Sequence, residues 1–230
     1  MSNPRIEASL NSIYARVGKR VLDLSIAALV FAVFGIPMLL IAALIKLEDG
    51  GPVLYRQERV GRNGVPFALT KFRSMCLDAE NQGAGILVEA NDKRITRIGA
   101  LIRKLSLDEL TQIFDVVRGD MSIVGPRPGL RYQAELYDDF QKQRLLVRPG
   151  ITGWAQVNGR NSIRWPERIQ RDIEYIERLS LWMDLKAIFK TIPSVLAGQN
   201  QIADGDYWKQ RRAELQAQDR QQDSHEKVSR

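Results

Sequence analysis

From Leu24 to Ile45 the chain carries no charged side chain, and this run, bounded by Asp23 and Lys46, constrains the fold more than any other feature. At about 1.5 Å per residue, a helix over the run matches a ~30 Å hydrocarbon core. It is too long for a cleavable signal, and no small-residue cleavage site precedes a polar chain. Two features argue against a simple crossing. Pro37 sits inside the run after Gly35, where proline removes a backbone bond and bends a helix. Both flanks are basic: Arg16, Lys19 and Arg20 come before, and Lys46, Arg56, Arg59 and Arg62 after. The positive-inside rule therefore gives no direction. A bent helix that enters and leaves by one leaflet satisfies both flanks. The other readings are a spanning helix with a tolerated proline, or a buried helix of a soluble core.

The rarest residues exclude the most chemistry. The single cysteine, Cys76, rules out an intrachain disulfide and fits a reducing compartment. The single histidine, His225, lies in a polar stretch, which argues against a histidine base, histidine-ligated zinc or a Ser-His-Asp triad. Any chemistry rests on carboxylates, lysine, arginine or a bound metal. With 34 Lys plus Arg against 27 Asp plus Glu, the net charge of +7 suggests a phosphate-rich partner: a nucleotide, an anionic bilayer or nucleic acid. The arginines stand singly in turns rather than in a basic stripe interleaved with aromatics, which argues against nucleic acid.

The chain reads as a helix-dominated α/β protein with a small sheet. We divide it into an N-terminal segment 1–18, a re-entrant membrane helix 19–47, a cytoplasmic catalytic domain 48–200 and a polar tail 201–230. Val53-Leu54-Tyr55 and Phe67-Ala68-Leu69 carry strand signals between turns at Gly50-Gly51-Pro52 and Asn63-Gly64. Residues 78–92 read as a loop. Ile95 to Leu105 reads as a helix, with Ile95, Ile98, Leu101, Ile102 and Leu105 on one face, and a second helix runs from Leu107 to Val117, ending at Gly119. Within 122–162, rich in glycine and proline, one helix is expected near 130–146. Residues 163–178 form a helix with Trp165, Ile169, Ile173 and Ile176 inward. Leu181 to Ile192 places Leu181, Trp182, Leu185, Ile188, Phe189 and Ile192 on one stripe, with Asp184, Lys186 and Lys190 opposite, a pattern for a core or a membrane interface.

Ser106-Leu107-Asp108-Glu109 has two readings. One is a capping box, with Ser106 capping the helix and Glu109 reaching back to the Ser106 backbone. The other starts from the same helix N-terminus as an anion site. Arg103 and Lys104 lie just upstream, and a Mg²⁺ held by adjacent carboxylates would offset repulsion from a bound phosphate. Asp108 and Glu109 are then a nucleophile and a metal ligand for phosphoryl transfer. Cationic candidates in turn-rich segments are Lys71, Arg73, Arg127 between Pro126 and Pro128, Arg148 and Arg160. The flanking prolines leave Arg127 less entropy to lose on gripping an anion. Asp172 reads either as a solvated edge residue or as an inward partner for an arginine or a metal.

Six stretches together resemble the bacterial sugar transferases, the monotopic polyprenyl-phosphate phosphoglycosyl transferases. They are Lys19-Arg20-Val-Leu-Asp-Leu, Gly51-Pro-Val-Leu-Tyr-Arg-Gln, Lys71-Phe-Arg-Ser-Met, Leu105-Ser-Leu-Asp-Glu-Leu, Gly119-Asp-Met-Ser-Ile-Val-Gly-Pro-Arg-Pro, and Val147-Arg-Pro-Gly-Ile-Thr-Gly-Trp-Ala-Gln-Val-Asn-Gly-Arg. They span about residues 17–192 and resemble the short form, a catalytic core without an N-terminal four-helix extension. The resemblance implies transfer of a sugar 1-phosphate from a UDP-sugar to undecaprenyl phosphate, with Mg²⁺, at the cytoplasmic face of the bacterial inner membrane, releasing UMP and initiating glycan assembly. It implies that Asp108 forms a phosphosugar-aspartyl intermediate, that Glu109 helps hold Mg²⁺, that Arg103 lies near a substrate phosphate, and that Pro126, Arg127 and Pro128 contact the nucleotide. The family breaks its membrane helix at a Ser-Pro pair; here the pair is Ile36-Pro37. A glycosyltransferase releasing UDP and a non-catalytic membrane scaffold are the alternatives. Membrane lipid is an expected partner, and a homodimer is open.

Overall fold

A computed structural model describes residues 3–82, 92–159, 163–196, 207–208 and 210–216. Helix α1 (Pro4–Leu10) and a π-turn (Tyr14–Gly18) lead into α2 (Lys19–Asp49), which holds the apolar run and stays helical through Pro37. Proline has no N–H for the Val33 carbonyl, so one rung of the ladder is missing there. Gly50, at φ 72°, ends the helix in the left-handed region that glycine adopts most cheaply.

Both ends of α2 are fastened to one globular body. At the N-terminal end, buried Asp23 accepts hydrogen bonds from Ser122 Oγ and the Ile123 N–H, both at 2.9 Å. Arg20 donates to the carbonyls of Val116 and Val117, at the C-terminus of a helix whose dipole favours a cation. Lys19 Nζ meets Asp184 Oδ2 at 2.7 Å, and the same buried carboxylate accepts from the hydroxyls of Tyr14 and Tyr175. At the other end, Glu48 caps the backbone N–H groups of Arg97 and Ile98, and Asp49 pairs with Arg73. Between these anchors Ala27, Met38, Ile41 and Ile45 are buried, and Phe31 packs on Phe114. The outer row stays open, with Ile36 74% and Leu39 72% exposed.

The hairpin β1 (Leu54–Val60) and β2 (Pro66–Phe72) is antiparallel, in register from Leu54↔Phe72 to Val60↔Pro66. Helix α3 (Arg97–Lys104) follows, capped by Thr96; Ile102 is buried, whereas Leu101 and Leu105 are exposed, so the inward face is narrower than the sequence suggested. The expected helix from Leu107 begins instead as a 3₁₀ turn (Leu107–Glu109), and α4 (Gln112–Arg118) starts after it, ending at Gly119 as expected. Ser106 is left-handed at φ 55° and its hydroxyl caps nothing, so the capping box does not form.

Strand β3 (Ser122–Val124) pairs in parallel with β4 (Gly150–Thr152). Neither shows in the sequence: three residues are too few for an alternation to be read. Between them lie α5 (Arg131–Ala134), α6 (Asp139–Lys142) and a 3₁₀ turn to Leu146 in place of one helix. Helix α7 (Trp154–Val157) precedes α8 (Trp165–Glu177), whose Ile169, Ile173 and Ile176 face inward as expected. On α9 (Leu181–Leu196) the apolar stripe is the outer side, as the interface reading has it, and the unexpected feature is that Asp184 opposite it is buried. Asp184 is fully buried beside Met183 and Ala187, while Trp182, Phe189 and Ile192 are exposed. The polar side chain turns inward because Lys19, Tyr14 and Tyr175 satisfy it. Trp208 is also buried, against Trp165 and Tyr137.

The crossing of β3 and β4 requires glycine. A Cβ on Gly150 would lie 2.1 Å from the Gly125 nitrogen, with no flexible side chain to yield. Gly150→Ala should lower stability by ~2 kcal/mol or more in denaturant unfolding, whereas Gly35→Ala, which meets nothing within 4 Å, should not.

Candidate active site

Asp108 and Glu109 sit on the 3₁₀ turn between α3 and α4, and three separate elements bring cations to it. The first is β2. Its Thr70 N–H and hydroxyl both donate to buried Asp115 of α4, each at 2.9 Å, and Thr111 Oγ1 donates back to the Thr70 carbonyl. This clamp fixes the strand against the helix and sets the next residue, Lys71, with Nζ 2.9 Å from Glu109 Oε1.

The second is the loop after β3. Four successive carbonyls hold it: Pro126 O accepts from the Gly150 N–H, Arg127 O from Arg144 Nη2, Pro128 O from Arg59 Nη1 and Gly129 O from the Val60 N–H. Pro126 and Pro128 are buried, and Arg127 projects between them to place Nη2 2.6 Å from Glu109 Oε1. The third is α3, whose Arg103 reaches Ser74 Oγ at 3.4 Å and acts electrostatically on Asp108.

The two carboxylates differ in state. Burial alone would raise Glu109, but Arg127 and Lys71 outweigh it and hold the group well below the usual carboxylate range. Burial raises Asp108; Lys71 and Arg103 pull against this, and Glu109 adds to it. Among the described residues no side chain pairs with Asp108, whose carboxylate takes a hydrogen bond only from its own backbone N–H. Glu109 is a framework group, and Asp108 is the available one.

The sequence candidates divide accordingly. Lys71, Arg103, Asp108, Glu109 and Arg127 come together, with Pro126 and Pro128 shaping the loop. Arg73 is paired with Asp49, where it ties the end of α2 to β2. Arg148 donates to the Gly119 carbonyl at 2.7 Å, at the end of α4. Arg160 lies outside the described residues. Asp172 takes the inward alternative: it is buried and grips Arg144 through Nη2 at 2.7 Å, and Arg144, also bonded to Tyr137, holds the Arg127 carbonyl. Asp172 thus positions the loop from behind. Arg59, Arg144 and Asp115 were not picked as site residues. The alternation of β1, with Tyr55, Gln57 and Arg59 inward, is the signal that points to Arg59.

The residues suit a hard divalent cation. Mg²⁺ commonly takes one or two carboxylates and completes its shell with water and substrate phosphates. Asp108 is unpaired, and Glu109 Oε2 has only a 3.4 Å contact with Arg127 Nη1. Among the described residues no cluster of three or more metal-ligating side chains exists, so an ion held by these two carboxylates would draw the rest of its shell from water and substrate.

Replacing Asp172 leaves the Arg144 guanidinium buried without its counter-charge. Asp172→Asn should cost ~3 kcal/mol or more in equilibrium unfolding, since breaking a buried pair from one side strands the other charge.

The model of the family described as bacterial sugar transferase matches residues 14–198. The uncharacterized sugar transferase EpsL of Bacillus subtilis is 41% identical over 181 residues, covering 79% of this chain and 88% of that protein. The UDP-glucose:undecaprenyl-phosphate glucose-1-phosphate transferase of Caulobacter vibrioides is 45% identical, over 79% of this chain and 71% of that protein. The UDP-N-acetylgalactosamine-undecaprenyl-phosphate N-acetylgalactosaminephosphotransferase of Aeromonas hydrophila is 44% identical over 81% of this chain, but the match spans only 45% of that longer protein. With the matched region holding the Asp108–Glu109 turn and all three elements that charge it, the chain belongs to the bacterial sugar transferase family and is an enzyme of the phosphoglycosyl transferase type.

Proposed function

We propose that the chain transfers a sugar 1-phosphate from a UDP-sugar to undecaprenyl phosphate through an ester on Asp108. The observation that carries this is the unpaired Asp108 carboxylate, flanked by Lys71 and Arg103 and beside a Glu109 already held by Lys71 and Arg127. Relatives named for UDP-sugar and undecaprenyl-phosphate substrates support the substrate pair.

An Asp108 oxygen attacks the sugar-side phosphorus, forming an acyl phosphate. The bond from that phosphorus to the bridging oxygen breaks, and UMP departs with the oxygen and its electron pair. A phosphate oxygen of the lipid then attacks the same phosphorus, and the Asp108 carboxylate leaves with its electrons. Lys71, Arg103 and Arg127 orient the phosphates and offset their charge, which is worth most where it develops in the transition state. Burial makes Asp108 more basic than a solvated aspartate, and hence a better nucleophile while ionised. Mg²⁺, when bound by Asp108 and Glu109, supplies further positive charge for the departing nucleotide phosphate.

Incubation with labelled UDP-sugar and no acceptor should leave label on Asp108, and Asp108→Asn should lose turnover by roughly three orders of magnitude or more while still folding. Label absent from Asp108 overturns the mechanism. The acid limb of the pH–rate profile should lie above ~3.9, the usual aspartate value, because protonation removes the attacking charge and the folded site raises that equilibrium.

We also propose that α2 enters and leaves the inner membrane by the cytoplasmic leaflet as one continuous helix bent at Ile36-Pro37 rather than broken there, with the exposed row of α9 at the interface. The anchors support this: Lys19, Arg20 and Asp23 at one end and Glu48 and Asp49 at the other hold a single body, whereas a crossing would part them by ~30 Å of hydrocarbon. In a Cys76→Ser background, Arg16→Cys and Arg62→Cys should both be labelled by an impermeant thiol reagent from the cytoplasmic face alone. Labelling from opposite faces overturns the re-entrant path.

A further inference from the structure

One cation at the site has no acid of its own. Arg59 lies on the inward row of β1, half-buried, directly behind the Arg127 loop. Its Nη1 donates to the Pro128 carbonyl at 3.4 Å and its Nη2 to Gln57 Oε1 at 2.5 Å, both neutral acceptors. Its Nε is buried and bonds to nothing. Among the described residues no carboxylate comes within ion-pair distance of Arg59, because Glu109 is spent on Arg127 and Lys71. The Arg127 guanidinium acts on it as a like charge, opposed by the field of Glu109. Counting the site as a whole, Arg59, Lys71, Arg103 and Arg127 face two carboxylates, Asp108 and Glu109.

Arg59 and Arg127 act on the same loop, and Arg59 Nη1 and Nη2 each carry a second N–H beyond the two hydrogen bonds named. A guanidinium presents paired N–H donors in plane, the arrangement that phosphate oxygens accept. We propose that Arg59 is a substrate-contacting residue, and that it and Arg127 together grip one phosphate group of a substrate. This rests on the phosphoglycosyl transferase reading. The phosphate can be that of the nucleotide half of the donor or that of the lipid acceptor, since the two substrates occupy the site in turn.

The test uses the full chain in detergent, with Arg59→Gln and Arg59→Lys. Three quantities are read: UMP affinity by titration, KM for the UDP-sugar and for undecaprenyl phosphate, and the Tm without nucleotide. Loss of a charge-assisted pair should weaken phosphate binding about tenfold or more in the Gln variant, with partial recovery in the Lys variant. The Tm of the unliganded variants reads separately the structural cost of losing the Arg59 hydrogen bond to the Pro128 carbonyl, and phosphate binding should follow the charge at position 59 rather than Tm. Weaker UMP binding with a raised donor KM assigns the grip to the nucleotide phosphate. A raised acceptor KM with UMP binding unchanged assigns it to the lipid phosphate. Unchanged UMP affinity with both KM values unchanged overturns the proposal, as does a lowered Tm that alone accounts for lost activity. A parent enzyme that releases no UMP from any UDP-sugar tells against the transferase reading instead. The Arg59-dependent thermal shift with inorganic pyrophosphate, which requires no turnover, then still decides whether this fork binds phosphate: a shift in the parent that Arg59→Gln abolishes supports it, and no difference overturns it.

Discussion

The Glu109 carboxylate is the point on which the site closes. It lies on a short turn, yet its partners come from a hairpin strand and from a loop after a different strand, at Lys71 and Arg127. Surface ion pairs contribute little, because each charge gives up good hydration for an attraction that water screens. Here the carboxylate is held in a partly desolvated turn, and two cations converge on one oxygen, so removing the carboxylate would strand both. The pairing therefore acts as a geometric lock more than as a source of stability. It sets the distance between β2, the 3₁₀ turn and the Pro126–Pro128 loop, and so fixes where Asp108 points.

Behind the lock stand two further buried carboxylates doing similar work. Asp115 joins β2 to α4 through Thr70, and Asp172 holds Arg144 against the back of the Arg127 loop. A third, Asp184, gathers Lys19, Tyr14 and Tyr175 where the apolar helix leaves the body. Each buried acid connects elements distant in the chain. That pattern explains why an active turn assembled from scattered residues keeps its shape beside a bilayer, where an apolar core alone would offer little directional preference.

The apolar run, the first hairpin, the faces of α8 and the Asp108–Glu109 pair were all legible in the sequence, because each rests on local periodicity, turn chemistry or a contiguous motif. The parts that were hidden depend on partners far away. Nothing in Asp184 distinguishes it from an outward charge on an amphipathic helix until Lys19 is seen to meet it. Strands β3 and β4 are too short to show a period, and they form because Gly125 and Gly150 allow two backbones to touch. The Ser106-to-Glu109 spacing matches a capping box in sequence, yet Ser106 turns left-handed and the first helical turn tightens to 3₁₀. The local preference lost because Glu109, drawn outward to Lys71 and Arg127, is not available to reach back to its own cap.

That outcome bears on which acid does the chemistry. Two adjacent carboxylates of equal basicity would compete for the same cations, and neither would be reliably free. Here the cations are divided unevenly. Glu109 takes direct bonds from Lys71 and Arg127 and becomes a weak base, fixed in place. Asp108 receives no side-chain partner, only the field of Lys71 and Arg103 and a hydrogen bond from its own backbone, too little to overcome its burial, and stays the more basic of the pair. A nucleophile needs electron density that is not already committed, whereas a framework group needs the opposite. One tight turn separates the two: Glu109 is committed to the cations of β2 and the Pro126–Pro128 loop, and Asp108 is the carboxylate left for the nucleophilic role in the proposed mechanism.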